Sequence, residues 1–307
     1  MAIPTSRTKE PGIISVDPVK CKGCGKCVAI CSDLDLELHE GKARPTGQGV
    51  FGCIGCGQCM MVCPEDAIRI TGRFISPAAL LPLPAKEQTA GYQSLLNLMI
   101  RRRSIRKFKS TTVDKALIDQ VVEAAMTAPM GLPPSDVNLL VFDSREKVRS
   151  FTEDFCKYLE KIRWISSSWF LTLMKPFWGK ETDELFRNFM RPLVDKYIDS
   201  MKQGENWVTY DAPAMIYFYG SPYCDPADPL IAATYAMLTA ESLGLGTCML
   251  GAIHPMIQNG SGARKFREAH GIRYKSREGI FLIMGYPKAE YLKGIRRSFA
   301  SMNYSAS

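Results

Sequence analysis

Eight cysteines between residues 21 and 63 constrain this chain more than any other feature. They read Cys21-x2-Cys24-x2-Cys27-x3-Cys31 and then Cys53-x2-Cys56-x2-Cys59-x3-Cys63-Pro64, an internal repeat with a period of 32 residues. Two-residue gaps let three thiolates of one loop converge on one face of an iron–sulfur cubane, and Gly23, Gly25, Gly55 and Gly57 permit the tight turns this needs. An even cysteine count in a small secreted chain would suggest disulfides. The opening stretch MAIPTSRTKEPG, however, has no apolar run of the kind an export signal carries. A structural zinc site closes on four ligands in two CxxC pairs, which two four-cysteine runs do not match. Metal ligation by two iron–sulfur clusters is the expectation.

Over residues 13–72 the module resembles bacterial two-cluster ferredoxins. Ile13-Ile14-Ser15-Val16 and Ala67-Ile68-Arg69-Ile70 look like the paired terminal strands of that family. The resemblance implies two [4Fe–4S] clusters in which the fourth cysteine of each run serves the other cluster. Cys21, Cys24, Cys27 and Cys63 would then hold one, and Cys53, Cys56, Cys59 and Cys31 the second. Ser32 stands where the family often has proline, a departure in the turn after Cys31. Between the two runs, Gly47-Gln48-Gly49-Val50-Phe51-Gly52 formally matches GxGxxG. A dinucleotide fingerprint needs a strand before it and a helix after it. No strand pattern precedes this one and a cluster loop comes directly after it, so it is set aside.

Three units are expected: residues 1–75 as the ferredoxin-like domain, 76–91 as a proline-rich linker, and 92–307 as a second domain. Pro77, Pro82 and Pro84 stiffen the linker. It is either a plain spacer or a strut packed through Leu80, Leu81 and Leu83 that fixes a cluster-to-acceptor distance. From Tyr92 the pattern turns helical, with Tyr92, Leu95, Leu96, Met99 and Ile100 on one face. A second helix from about Asp114 carries Leu117, Ile118, Val121, Val122 and Ala125, and stops before Pro129. Apolar runs at 137–142, 214–219, 247–250 and 280–284 read as strands, and a long helix spans 229–243. The fold class is therefore α+β, an antiparallel-rich sheet flanked by helices behind a small two-cluster module.

Four motifs then occur in a telling order: Arg102-Arg103-Ser104-Ile105-Arg106-Lys107-Phe108, Ala124-Ala125-Met126-Thr127-Ala128-Pro129, Leu243-Gly244-Leu245-Gly246-Thr247-Cys248-Met249-Leu250-Gly251, and Ile283-Met284-Gly285-Tyr286-Pro287 with Arg296-Arg297. Together they resemble the nitroreductase family of FMN enzymes across 92–300, with an unmatched insertion at about 151–208. The resemblance implies that Arg102, Arg103, Ser104 and Arg106 hold the FMN phosphate and ribityl chain. Guanidinium forks and a hydroxyl donor suit that task. Arg296 and Arg297 match the basic pair that closes on the same phosphate. Pro129, Met130 and Gly131 correspond to the segment against the isoalloxazine ring, and Met249, Leu250 and Gly251 to the loop at its other side. Met130 stands where the family has serine, and Pro133-Pro134 where it has an asparagine-containing stretch.

The insertion holds Trp164, Trp169, Phe170, Phe177, Trp178, Phe186, Phe189 and Trp207. Such aromatics suit a lid over a flat acceptor or the core of a dimer interface. Cys156, Cys224 and Cys248 read as small buried residues, and His39, His254 and His270 form no ligand set. No nucleophile–base pair or general-acid histidine is visible, so no catalytic side chain is named; the flavin carries the hard chemistry in such enzymes. The net charge of +8 does not point to nucleic acid. Residues 1–75 hold nine Lys/Arg against eight Asp/Glu, and the densest basic run elsewhere is the FMN motif. The apolar stretch 164–178 is shorter than the roughly 20 residues that cross a bilayer, so a soluble, cytoplasmic protein is expected.

The resemblance implies a homodimer with FMN at the subunit interface. Electrons would pass from a ferredoxin or another low-potential donor through the clusters to FMN. From there they would reach a small organic acceptor: a nitroaromatic, a quinone or an activated alkene. The alternatives are a non-catalytic electron relay or redox sensor, or another FMN reaction on the same fold such as reductive dehalogenation. NAD(P)H as donor stays open.

Overall fold

The computed structural model describes residues 11–31, 35–49, 52–73, 75–131 and 135–304. Ser32 and the segment 132–134 lie outside the described residues. The chain opens with β1 (Ile13–Val16), α1 (Lys26–Ile30), β2 (Leu36–His39), β3 (Lys42–Pro45), α2 (Gln58–Met61) and β4 (Ile68–Thr71). The sequence repeat is a structural repeat: α1 and α2 start 32 residues apart, each capped by a left-handed glycine, Gly25 at φ 71° and Gly57 at φ 72°. A side chain at that φ would be strained, which is why glycine recurs there. The expected terminal strands pair antiparallel, from Ile13 opposite Thr71 to Val16 opposite Ile68. β2 and β3 form a hairpin through Glu40 and Gly41, both at positive φ, the backbone that two-residue hairpin turns use.

One expectation needs correcting. A strand does precede the GxGxxG match, since β3 ends at Pro45. Only Ala43 among its four residues is buried and apolar, so the strand is held by pairing with β2 and shows no apolar run. The chain beyond Gly49 still leads to the Cys53 loop, and α2 begins only at Gln58. The match remains unlike a dinucleotide site. The core here is small: Leu36, Ala43, Met60, Ala67, Ile68 and Ile70, packed with Cys21, Cys27 and Cys59.

In the proline-rich segment, Leu80 packs against this core, but Leu81 and Leu83 are 84% and 92% exposed. The strut packed through all three leucines is therefore not what forms. Proline rings at 82 and 84 restrict φ to about −65° and disfavour helix there, and residues 81–91 are exposed.

The second part comprises α3 (Tyr92–Arg101), α4 (Lys115–Met126), β5 (Val137–Phe142), α5 (Arg145–Ile162), α6 (Ser168–Leu185), α7 (Arg191–Lys202), β6 (Ala214–Gly220), α8 (Asp228–Ser242), β7 (Gly246–Leu250), α9 (Ile253–Met256), α10 (Ser261–Ala269) and β8 (Gly279–Gly285). Its sheet runs β5-β6-β8-β7, with each neighbouring pair antiparallel. β6 and β8 are central and sandwiched, which is why they read as continuous apolar runs. Strand side chains alternate between faces. Met215, Tyr217, Phe281 and Ile283 accordingly pack with Phe151, Phe155 and Phe266 of α5 and α10. Ile216, Phe218, Leu282 and Met284 pack with Ile118, Val121, Ala233 and Ala236 of α4 and α8. The alanines let α8 lie close on the sheet.

Helix α5 starts before the expected insertion, capped by Ser144, whose hydroxyl accepts from Lys147 N–H at 3.3 Å. Its Phe151, Phe155 and Leu159 are core residues. Beyond it, α6 is kinked at Gly179 (φ 74°, ψ 173°), three residues after Pro176. Trp164, Phe170, Trp178 and Phe186 form a chain of edge-on and tilted contacts with successive centroids 5.1, 5.8 and 4.7 Å apart. Among the exposed apolar residues are the α3 stripe of Tyr92, Leu95, Met99 and Ile100, Trp169, Leu173 and Phe177 of α6, and Tyr291, Leu292, Ile295, Phe299, Met302 and Tyr304 after β8. Among the described residues no helix is long and apolar enough to cross a membrane.

Candidate functional site

The eight cysteines line two cavities. Cys21, Cys24, Cys27 and Cys63 surround the first, and Cys31, Cys53, Cys56 and Cys59 the second. Each cavity takes three cysteines from one run and the fourth from the other. All eight are free thiols. Among the described residues no three such side chains converge as tightly as ligands of a single ion do; each quartet is spread round its cavity wall. The Cys21 sulfur accepts the Ala43 N–H at 3.5 Å and that of Cys63 accepts the Ala67 N–H at 3.3 Å. Backbone N–H groups, first Ala43 and then Gly23, hold the Cys21 thiol below its ordinary pKa. Burial pushes Cys59 up to about 12, helped by Cys53 and Cys56. Four cysteine sulfurs round one cavity are the donor set that a cubane of iron and sulfide takes. The donor set fits.

The basic run leaves the end of α3 and is laid along the sheet. Ile105 N–H donates to Thr247 O at 2.8 Å, Lys109 N–H to Tyr286 O at 2.9 Å, and Lys288 N–H to Lys107 O at 3.0 Å. Buried Ile105 is the anchor. A Cβ at Gly246 would meet its side chain at 2.5 Å, so the motif's glycine permits this close approach. The neighbouring side chains are then fixed in place. Arg102 is half-buried, and burial, followed by the charges of Arg297 and Arg103, pushes its guanidinium below its ordinary pKa. Arg103 donates to Ile100 O at 2.6 Å and Arg102 O at 2.7 Å. Arg106 lies over the Tyr210 ring at 5.9 Å. The Cys248 thiol sits within the influence of Arg106, Ser104 and Arg102, although burial dominates and raises it.

The structure thus gathers Arg102, Arg103 and Arg297, and sets Ser104 and Arg106 beside Cys248. Arg296 is exposed after β8. Like charges act on half-buried Arg102, and the carboxylate of Glu241 has less effect on it than either Arg297 or Arg103. Such a cluster suits a bound anion, and a phosphate fits its forked donors.

The remaining ring-contact candidates sit at two other places. Pro129, Met130 and Gly131 come after α4, and Gly131 N–H donates to Asp228 Oδ1 at 3.0 Å, tying the loop to the start of α8. Asp228 is buried and its carboxyl is raised by that burial, which the Gly131 N–H partly offsets. Met249 and Leu250 end β7 half-buried, one on each core layer, and Gly251 is exposed. Gly251 also borders an open, largely apolar cavity of about 1070 Å³ that Ile162, Trp164, Phe186, Phe189 and Met256 line. Among the described residues no hydrogen bond joins 129–131 to the basic run.

The sequence did not single out Asp228, Tyr210 or the buried hydroxyl of Thr247. Asp228 opens a helix with proline behind it, a detectable start signal. Thr247 carries a buried hydroxyl without a hydrogen-bond partner, which only the packing reveals. Nothing in the sequence marks Tyr210.

A model of the nitroreductase family matches residues 99–286, and a model of the 4Fe-4S dicluster domain matches residues 13–64. Among solved structures the chain is similar to a nitroreductase with bound FMN from Bacteroides fragilis NCTC 9343, at 16% identity and a TM-score of 0.51. That likeness covers 69% of this chain and 98% of the other, and it speaks to the fold alone. The chain is also similar to a nitroreductase with bound FMN from Desulfitobacterium hafniense DCB-2, at 21% identity and a TM-score of 0.49, over 69% of this chain and 98% of that one. No curated protein matches the sequence.

Proposed function

The chain belongs to the nitroreductase family of flavin-dependent oxidoreductases and carries a 4Fe-4S ferredoxin-type domain ahead of it; from that premise we propose that it is an FMN-dependent reductase fed through two [4Fe–4S] clusters and delivering electrons to an organic acceptor. Residues 1–75 make up the electron-receiving unit, 76–91 the linker, and 92–307 the flavin domain. Cys21, Cys24, Cys27 and Cys63 hold one cluster, and Cys31, Cys53, Cys56 and Cys59 the other.

The observation that carries the flavin reading is the basic run anchored on β7 through the Ile105 N–H to Thr247 O bond at 2.8 Å, with half-buried Arg102 feeling the charges of Arg297 and Arg103. These three, with Ser104, Arg106 and Arg296, would pair with the phosphate and ribityl oxygens as charge-assisted donors. The loops 129–131 and 249–251 would bracket the ring, with Asp228 steadying the first through Gly131. When bound, FMN supplies the exchange between one-electron donors and a two-electron acceptor. The protein's own part is to hold it, exclude water and present the acceptor. The apolar cavity beside Gly251, walled by Trp164, Phe186 and Phe189, suits an uncharged, flat acceptor such as a nitroaromatic, a quinone or an activated alkene. A homodimer with FMN at the interface accounts for the exposed α3 stripe and the exposed apolar residues of 291–304.

Anaerobic stopped-flow reduction of the full-length protein tests this. A reduced ferredoxin should bleach the flavin much faster than NADH or NADPH, and the reduced enzyme should turn over nitroaromatic, quinone and alkene acceptors repeatedly. Stoichiometric reduction without turnover of any of them would mark a relay and overturn the reading.

A further inference from the structure

The repeat contains its own control. In the first run, Lys20, Lys22 and Lys26 stand among the cysteines; 32 residues later the same positions are Gly52, Ile54 and Gln58. The two loops share their backbone, with α1 and α2 capped alike by Gly25 and Gly57. Lysine is therefore not something the cluster loop needs in order to fold. Residues 18–31 hold three lysines and no acid, whereas 50–63 hold no charged residue. The fourth lysine between 11 and 75, Lys42, joins the same side, with its Nζ donating to Cys21 O at 2.5 Å.

Placement sharpens the asymmetry. Lys22 and Lys26 line the first cavity and are exposed, as is Lys20. Cys24, between them, is the one exposed ligand candidate of the eight, while its counterpart Cys56 is half-buried. The second cavity has no lysine in its wall and instead has the buried carboxyl of Asp35. Asp17 accepts the Val19 and Lys20 N–H groups at 2.9 and 3.2 Å and has Lys20 and Arg69 as its counter-charges, which leaves Lys22 and Lys26 as the cations of the cavity wall. Glu65 lies on the cavity's rim with Asp66 beyond it. One end of the module thus combines the exposed Cys24 with the exposed Lys22 and Lys26.

We propose that the face around Cys24, flanked by Lys22 and Lys26, is the docking surface for an acidic one-electron carrier protein, and that electrons enter the chain there. The proposal rests on the cluster-fed reading above and says where the donor binds. Each encounter would move one electron, oxidising the carrier by one and reducing by one the cluster that Cys21, Cys24, Cys27 and Cys63 would hold; two encounters, with two protons from solvent, would balance one two-electron reduction of FMN. Opposite charge steers such an encounter and raises its rate by about 10–10³-fold at low salt, an effect that salt screens.

The test uses the full-length holoprotein and a strongly acidic two-cluster ferredoxin. Binding of the oxidised pair is measured by calorimetry, and the bimolecular rate of flavin reduction by reduced ferredoxin is followed at several ionic strengths. Lys22→Glu/Lys26→Glu should weaken binding and slow the bimolecular step by about tenfold or more at low salt, and should flatten its salt dependence. Iron and sulfide content should stay the same, which shows that both clusters are still held. The neutral Lys22→Gln/Lys26→Gln variant, which perturbs the loop less, should show a smaller loss in the same direction. Unchanged affinity and rate in both variants would overturn the proposal, as would absence of binding to the wild type. Lysine-dependent binding without flavin reduction would support the surface and refute the cluster-fed reading, so the two fail separately.

Discussion

The cysteine module keeps six apolar side chains, Leu36 to Ile70, packed against Cys21, Cys27 and Cys59, whereas the sheet domain buries two full layers around Tyr217, Phe281, Phe151 and Phe155 on one side and Phe218, Leu282 and Val121 on the other. Burying one such large side chain is worth about 1.5–3 kcal/mol. The sheet domain therefore has many independent contributions, and the loss of one is tolerable. A core as small as the module's is of the kind that metals usually complete. The contrast teaches that the two parts answer to different chemistry: the first to its ligands, the second to its packing.

Removing iron should break the comparison most visibly. The holoprotein should hold about eight iron and eight sulfide, two four-iron clusters' worth. Oxidative loss or chelation should open residues 11–73 to limited proteolysis while the sheet domain still unfolds cooperatively. Zinc in place of iron, or a module that resists protease after iron loss, would erase the distinction. Cys63→Ser sharpens it further: the cluster lost should be the one held by Cys21, Cys24 and Cys27, read by spin resonance, and not that of its sequence neighbours.

The converse experiment is Phe281→Ala. Phe281 is fully buried and stacks on Tyr217 at 3.9 Å, so truncation should cost about 3–5 kcal/mol in urea unfolding of the sheet domain. Iron content should stay the same. A coupled loss of iron would mean that the two parts do not fold independently.

Smaller still, Arg102→Ala should weaken FMN binding by about 1.5–3 kcal/mol, the scale of one charge-assisted hydrogen bond. Equilibrium dialysis of flavin against each variant measures it. Full retention at low FMN would remove the anion site from the basic run.

The smallest effect concerns pH. His254 is buried, with Nδ1 2.8 Å from the Tyr217 hydroxyl and Gln258 beside it. Burial holds the imidazoles of His254 and His270 below their ordinary pKa. Between the folded and unfolded values the unfolded chain binds more protons, so these groups lose stability as pH falls below about 6.5. Urea midpoints from pH 7 downward should show this slope, and His254→Gln should flatten it. An identical slope in the variant would assign the pH dependence elsewhere.

Much of the architecture was legible because it depends on neighbours in sequence. Cysteine spacing is local, and so are the left-handed glycines 32 residues apart. The sandwiched strands β6 and β8 show themselves as apolar runs, and α4 by its stripe. β3 was missed because its reason to exist is the hairpin partner and not its own residues. Leu81 and Leu83 read as packing residues on hydrophobicity alone, and the structure leaves them in solvent.

The candidate site divides along the same line. Its residue types, thiols, guanidiniums and a hydroxyl in motif order, were determined by the sequence. Tertiary structure decided which ones meet: the cavities that mix cysteines from both runs, Arg297 coming back to Arg102 across nearly two hundred residues, Gly131 tied to Asp228, and Ile105 wedged against Gly246. It also decided the strand order β5-β6-β8-β7. Local spacing and periodicity act over a few residues and leave their pattern in the chain. Long-range pairings depend on how whole layers pack, and no single segment carries that information.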